Sequence, residues 1–150
     1  MGTVKVDADS SKGAVVATID LEATPERVFQ ALASPEITKW WVRSGVFDTR
    51  EWSGDVRARG HWHASGVGQG RPYSLDGEFI EVHPPRKLVH TWQLNSPNGP
   101  ISTATYRLER VAGGTRLTFE HGSFGTAQAV EANRAGWETS FEELVEILTR

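Results

Sequence analysis

Cysteine is absent from the 150-residue chain, and its absence excludes disulfides, thiolate nucleophiles and thiolate-ligated metal sites. No apolar stretch approaches the ~20 residues that a membrane-spanning helix requires. The N-terminus lacks the basic start and the apolar run of about 7 to 15 residues that are typical of a signal peptide. We therefore expect a cytoplasmic protein without a membrane span.

Positive charge is not in excess either: the formal net charge is −3 at pH 7 and the sequence pI is about 5.9. Such a chain has no overall positive field to attract nucleic acid or an acidic membrane, so neither is an expected partner. Apolar residues make up 38% of the sequence, which is enough for one hydrophobic core in a chain of this length. We expect a flexible polar leader over residues 1–12 and a single domain over residues 13–150, which is a monomer or a weak dimer.

Tryptophan is unusually abundant, with six residues against only two tyrosines. Trp is large and rigid and carries one N–H, so it lines ligand pockets as readily as it fills cores. Both interpretations stay open for each Trp. The adjacent pair Trp40-Trp41 is expected either to gate the mouth of a pocket or to plug the core.

The first elements are predicted from β-branched residues and helix-start signals. Residues 14–21 are rich in Val, Ile and Thr and are bounded by turn residues, which indicates a strand. Thr24-Pro25-Glu26 and Ser34-Pro35-Glu36 each combine a capping hydroxyl, a proline at the first helical position and an acid near the helix N-terminus. One strand is therefore followed by two short helices, the second of which carries Trp40 and Trp41.

Short segments separated by turn residues fill the chain from residue 43 to about residue 122. They predict six strands, at residues 52–56, 60–64, 75–82, 87–94, 101–108 and 115–121. The separators are a glycine-rich stretch at 66–72, interpreted as a mobile hairpin loop, and turns at 83–86, 95–100 and 112–114. Connections this short favour an antiparallel meander, because parallel strands need helical crossovers.

Residues 126–149 carry apolar side chains at three- and four-residue steps, from Ala129 through Trp137 and Phe141 to Leu148. Glutamates fall largely on the other side, which predicts an amphipathic helix long enough to span a small sheet. A strand, two short helices, six strands and a long helix form an α+β layout with the helices on one face of the sheet.

Three groups of motifs carry a resemblance that covers residues 14–149 in order. They are Thr24 to Leu32 with Ser34-Pro35-Glu36 and Trp40-Trp41; Gly77 to Val82 leading through Pro84-Pro85-Arg86 to Thr91-Trp92; and Gly113 to Phe119 with Gly136-Trp137. The chain resembles the bacterial family named after the C-terminal domain of the activator of heat-shock protein 90 ATPase, within the START-like (SRPBCC, helix-grip) superfamily. The resemblance implies a helix-grip fold, in which a curved antiparallel sheet wraps around the long C-terminal helix. Superfamily members bind lipids, hormones, polyketides or co-chaperone partners, and some catalyse cyclisations, so the fold alone does not determine the function.

Alternation along the strands predicts which side chains face the helix. Phe119 and His121 share one face of the last strand, and His90 and Trp92 share one face of an earlier strand. This wall mixes wide aromatic residues with small and polar ones, as a pocket with a few polar anchors requires. The candidate ligand-binding residues are Trp40, Trp41, Trp62, Phe79, His90, Trp92, Tyr106, Phe119, His121, Trp137 and Phe141.

The histidines are the candidates for chemistry. His61 and His63 have a spacing that a metal can use, or they are simply solvent-facing; no metal site is predicted, because three or four ligands are needed. His90 and His121 either hydrogen-bond a ligand, act as acid or base, or are core histidines satisfied by a neighbour. Glu81 would form an acid–base pair with them if it faced inward. No catalytic residue is assigned.

The favoured hypothesis is non-catalytic binding of a small hydrophobic or aromatic ligand between sheet and helix, without a cofactor, in stress response or resistance. The first alternative is a co-chaperone module acting on a heat-shock protein, which the resemblance implies. The second alternative is a small hydrolase or cyclase that uses His90, His121 or Glu81 as acid or base.

Overall fold

The computed structural model describes residues 4–43, 45–95 and 99–149, so the first three residues of the predicted leader and the middle of the predicted turn at 95–100 lie outside the described residues. The described residues form nine strands, two α-helices and one 3-10 helix. In chain order these are β1 Val6–Asp9, β2 Ala14–Leu21, α1 Pro25–Leu32, the 3-10 helix Pro35–Lys39, β3 Val42–Arg43, β4 Phe47–Gly54, β5 His61–Gly68, β6 Arg71–His83, β7 Lys87–Leu94, β8 Ile101–Val111, β9 Gly114–Gly122 and α2 Ala127–Thr149.

All nine strands belong to one antiparallel sheet in the order β1-β2-β9-β8-β7-β6-β5-β4-β3. The helix α2 packs against β1 and β2 near one edge of this curved sheet and against β3 at the other edge. It therefore closes the opening between the two edges, and the predicted α+β helix-grip fold is confirmed. Among the residues that the structure describes, neither α1 nor α2 combines the length and the apolar character that crossing a bilayer demands.

The two helix starts form as their sequences predict. Thr24 Oγ1 accepts a hydrogen bond from the Arg27 N–H (3.2 Å), and Ser34 Oγ accepts one from the Glu36 N–H (3.2 Å). Each satisfies an N–H that the first turn leaves unpaired, and a proline follows each cap. The two short helices bring Trp40 into the core, where its Nε1 donates to the carbonyl oxygen of Ala31 (2.9 Å).

Two features of the sheet differ from the sequence analysis. Residues Val6–Asp9 form a strand that was not predicted, and Val6 is buried beneath α2. The glycine-rich stretch at 66–72 is not an open loop, because strands β5 and β6 continue through it to a two-residue turn. Gln69 and Gly70 both have positive φ (51° and 78°), as a tight type I′ hairpin turn requires.

The inward face is the one that alternation predicts. Leu94, at the end of β7, lies on this face opposite Leu75, and 43% of its surface is exposed. The buried inward side chains of β5 to β9 include Trp62, Ala64, Leu75, Phe79, Leu88, His90, Ala104, Tyr106, Leu108, Leu117, Phe119 and His121. The core thus lies between this face and the helix α2.

Because Gly77 has no side chain, the indole of Trp62 can pass over strand β6 at this position. Trp62 Nε1 donates to the Thr91 carbonyl oxygen (3.1 Å), and a Cβ at position 77 would overlap both that oxygen and the indole. We expect Gly77→Ala to lower the free energy of unfolding by about 2 kcal/mol, because the ring must move and its hydrogen bond is lost. Urea denaturation measures the effect, and Gly125→Ala is the control because a Cβ there meets nothing within 4 Å. Equal stability of the two variants would contradict the prediction.

Candidate ligand-binding site

A cavity of about 520 Å³ opens between the middle of α2 and the half of the sheet formed by β4 to β7. Its wall is mainly apolar, with Phe47 and Leu75 from the sheet and Gly136 from the helix. Its rim is formed by the β5–β6 hairpin tip and the end of β7. This is a cleft of the size that suits a small organic ligand.

Three indoles form the floor of the cavity: Trp41, Trp92 and Trp137, together called the indole floor. Their ring centroids form a near-equilateral triangle, with separations of 5.9 Å (Trp41 to Trp137), 6.4 Å (Trp92 to Trp137) and 6.5 Å (Trp41 to Trp92). Such a floor is aromatic and rigid, so contact with it costs little conformational entropy.

The three indole N–H groups of the floor differ in their bonding. Trp137 Nε1 donates to His121 Nδ1 (2.9 Å). The Nε1 atoms of Trp41 and Trp92 are buried, and neither has a hydrogen-bond partner among the described residues. A buried donor without a partner costs about 1 to 3 kcal/mol, and both of these donors belong to indoles that line the cavity.

Polar groups also lie on the cavity wall. The hydroxyl groups of Thr49 and Tyr73 are hydrogen-bonded to each other. Burial raises the pKa of Tyr73, so its phenol stays protonated. Arg71 is the one charged side chain among the described residues of the wall, and it lies at the exposed rim. The cavity thus combines an apolar interior with hydroxyl groups and a cationic rim.

Three of the eleven predicted binding residues, Trp41, Trp92 and Trp137, line this cavity. Trp40, which stacks on Phe141 (ring centroids 5.9 Å apart), is part of the core and does not gate the cavity. The structure places the other eight in the buried layer behind or beside the cavity: Trp40, Trp62, Phe79, His90, Tyr106, Phe119, His121 and Phe141.

His121 is held at both ring nitrogens. Because the Trp137 indole can only donate, His121 Nδ1 is an acceptor, and the proton of the neutral ring is on Nε2. That N–H donates to Ser102 Oγ (2.7 Å), whose hydroxyl donates to the Trp92 carbonyl oxygen (3.3 Å). Burial lowers the pKa of His121 to about 3. A histidine that donates to a serine cannot accept that serine's proton, so the pair is not an activated nucleophile.

His90 and Glu81 do not form the acid–base pair that the sequence analysis considered. Burial lowers the pKa of His90 to about 4, and its Nδ1 donates to the Thr91 carbonyl oxygen (3.0 Å). A bulge between Phe79 and Glu81 turns the Glu81 side chain to the other face of the sheet. There its carboxylate contacts Lys87 Nζ (3.0 Å), which holds the pKa of Glu81 below its usual range. The inward orientation considered for Glu81 is therefore wrong.

His61 and His63 are exposed on the outer face of β5. His63 Nδ1 lies 2.8 Å from an Asp76 carboxylate oxygen. Within residues 4–43, 45–95 and 99–149, no group of three or more His, Asp or Glu side chains could hold a metal ion.

Most of the cavity wall was missed by the sequence analysis. Phe47 lies on β4 before the predicted start of that strand, and the hairpin tip that carries Arg71 was interpreted as a loop. Gly136 carried a signal, since a glycine inside an amphipathic helix costs about 1 kcal/mol relative to alanine and so points to a local reason for its presence. Phe47 lies 3.6 Å from where a Cβ of Gly136 would be, so the two residues are neighbours on the cavity wall.

Solved structures with the same fold come from several bacteria. A protein from Chromobacterium violaceum is 22% identical with a TM-score of 0.83, and the alignment covers 92% of this chain and 98% of that chain. A protein from Rhodobacter sphaeroides is 24% identical with a TM-score of 0.82, covering 99% of both chains. The AHSA1 protein from Silicibacter pomeroyi is 21% identical with a TM-score of 0.78, covering 91% of this chain and 97% of that chain. At these identities the likeness shows the fold alone.

The comparison with curated proteins found no match. The family model described as "Activator of Hsp90 ATPase homolog 1-like protein" matches residues 22–149, which is most of the chain and nearly the span of the resemblance in the motifs. The chain therefore belongs to the activator of Hsp90 ATPase homolog 1-like family.

Proposed function

We propose that the protein binds a small, largely apolar ligand that carries a hydrogen-bond acceptor, in the cavity between α2 and strands β4 to β7. The observation that carries the proposal is the pair of buried, unpartnered N–H groups of Trp41 and Trp92 on the indole floor. An acceptor on a ligand relieves the cost of burying them, and this supplies affinity that apolar contact alone does not.

The shape of the indole floor favours a planar ligand. Trp41 lies nearly perpendicular to Trp137 (90°) and at 72° to Trp92, so a flat ring finds both faces and edges of indoles to contact. Such offset or edge-to-face aromatic contacts contribute about 0.5 to 1.5 kcal/mol each beyond the area that they bury. An aromatic ligand with a carbonyl group combines ring contact with the floor and an acceptor for a free N–H group.

Binding without chemistry fits the histidines better than acid–base catalysis does. His121 and His90 are neutral near pH 7, and each is engaged in hydrogen bonds with the protein. A general base needs a free acceptor within reach of the substrate, and His121 uses its acceptor nitrogen on Trp137.

Gly136 offers the sharpest test, because a side chain there grows into the cavity. A Cβ at position 136 makes only ordinary contacts, 3.6 Å from Phe47 Cε1. We expect Gly136→Ala to raise the free energy of unfolding by about 1 kcal/mol, since alanine is the better helix former. We expect Gly136→Leu to fill the cavity and to weaken ligand binding at least about tenfold, the effect of lost apolar contact and of steric overlap.

The probes for this test are 2-acetylnaphthalene and 2-ethylnaphthalene, which have nearly the same shape but differ in the carbonyl acceptor. We expect the wild-type protein to bind the ketone about fivefold more tightly, as one additional hydrogen bond would give. Ala127→Leu adds similar bulk at an exposed position outside the cavity and is the matched control. Equilibrium dialysis measures the affinities; binding that is unchanged in Gly136→Leu would refute the proposed site.

The family's description supports a second candidate, in which the chain acts as a co-chaperone on a heat-shock protein 90 ATPase. This rests on the family description, whereas the ligand proposal rests on the cavity and its N–H groups. Stimulation of a purified heat-shock protein 90 ATPase, undiminished in Gly136→Leu, would favour the second candidate.

A further inference from the structure

The charge of the cavity rim indicates the chemical class of the ligand. Among the described residues of the wall, Arg71 is the one charged side chain and none is a carboxylate. A single guanidinium matches one carboxylate, to which it can donate two parallel hydrogen bonds. We propose that the natural ligand is an aromatic monocarboxylic acid whose carboxylate is the acceptor that the proposed function requires and is attracted by Arg71, and whose ring lies on the indole floor; this rests on the proposed function.

Arg71 is available for such a ligand because it forms no ion pair among the residues that the structure describes. The carboxylate of Asp48, on strand β4 beside the hairpin, contacts Arg50 Nε (3.1 Å). Arg134, on the helix beside the cavity, is likewise paired with Glu131 and Glu138. The cation at the rim is therefore left for a partner from outside the protein.

The backbone holds Arg71 in place at the rim. The Gln69-Gly70 turn is tight, and Arg71 is directly paired with Gly68 across the hairpin. As the first residue of β6, Arg71 lies on a backbone fixed by the sheet ladder, while its side chain stays exposed. When a ligand binds a charged side chain on a rigid hairpin, less of the backbone has to become ordered than on a flexible loop. The entropic cost of binding is therefore smaller, and less affinity is lost.

The test compares 2-naphthoate with 2-acetylnaphthalene, which has nearly the same shape and keeps the carbonyl acceptor but has no charge. We expect the wild-type protein to bind 2-naphthoate about fivefold more tightly than the ketone, the size of an exposed charge-assisted contact. Arg71→Gln should remove this preference, because it weakens the binding of 2-naphthoate and leaves the binding of the ketone unchanged. Arg107→Gln is the matched control, because Arg107 is an exposed strand arginine on the outer face, away from the cavity.

The outcomes separate this inference from the proposed function. If 2-naphthoate and the ketone bind equally, or if Arg71→Gln weakens both to the same extent, the acid is not recognised through Arg71 and the inference is overturned, while the cavity remains a binding site. If neither probe binds at concentrations near their solubility, the proposed function fails, and the inference fails with it. If Arg107→Gln also removed the preference for 2-naphthoate over the ketone, the preference would come from the net charge of the protein and not from Arg71. That result would also overturn the inference.

Discussion

The protein is expected to lose stability steeply as the pH falls below 6.5, the ordinary pKa of histidine. His90 and His121 are buried, and burial lowers their pKa in the folded protein to about 4 and about 3, respectively. Between these values and 6.5 the unfolded chain binds protons that the folded chain does not. Each histidine then lowers the free energy of unfolding by about 1.4 kcal/mol per pH unit, and the two together by about 2.7 kcal/mol.

The sign follows from which state is charged. Above pH 6.5 both histidines are neutral in the folded and the unfolded protein, and their contribution to stability is fully present. As the pH falls toward 4, protonation favours the unfolded chain, because protonated His121 loses the bond that its Nδ1 accepts from Trp137. A domain with the usual 5 to 15 kcal/mol of stability would be strongly destabilised across this interval.

Urea denaturation at a series of pH values measures this slope. We expect His90→Gln to halve it between pH 6.5 and about 4, because one of the two proton-binding sites is removed. His63→Gln is the matched control, since His63 is exposed on the outer face. A wild-type slope near zero in this interval, or an unchanged slope in His90→Gln, would contradict the prediction that the two buried histidines cause the loss of stability.

Removing the indole of Trp137 is expected to cost about 3 to 5 kcal/mol in Trp137→Ala, as for other buried aromatic residues. Trp137 contacts Phe119 (ring centroids 4.6 Å apart), stacks on Phe141 (5.4 Å) and also packs on the other two indoles of the floor. Its loss therefore removes packing from the core and the floor of the cavity together. Urea denaturation at pH 7 measures the change.

Phenylalanine substitutions separate the hydrogen bond from the packing. Trp137→Phe removes the donor to His121 Nδ1 and leaves a buried acceptor unpaired, which adds about 1 to 3 kcal/mol to the cost of the smaller ring. Trp92→Phe is the matched control, because its Nε1 has no partner among the described residues. We expect Trp137→Phe to be the more destabilising of the two. Equal losses in both variants would show that the bond to His121 contributes nothing.

Local signals in the sequence were enough to predict most of the elements. β7 has the predicted bounds, Lys87–Leu94, and α2 begins one residue after its predicted start. The first two helices begin at their capping residues, Thr24 and Ser34. These features depend on residues a few positions apart, so the periodicity of apolar side chains and the cap chemistry are sufficient to predict them.

Strand β1 was missed although β2, with which it forms a hairpin, follows it directly in the chain. The four-residue segment is too short to show a pattern of its own, and it is held by contacts with the other end of the protein. The Val6 N–H donates to Glu138 (3.3 Å), and Arg134 donates to the Val6 carbonyl oxygen (3.4 Å). Nothing in residues 1–12 by themselves indicates these helix residues.

The candidate site depends even more on tertiary structure. The sequence by itself determined that the wall facing the helix is rich in aromatic residues, because alternation along a strand decides which side chains share a face. It could not decide which tryptophans fill the core and which line a cavity, since that depends on how closely α2 approaches each strand. Only the folded chain places Gly136 beside Phe47, leaves the N–H groups of Trp41 and Trp92 without partners, and brings Arg71 to the rim.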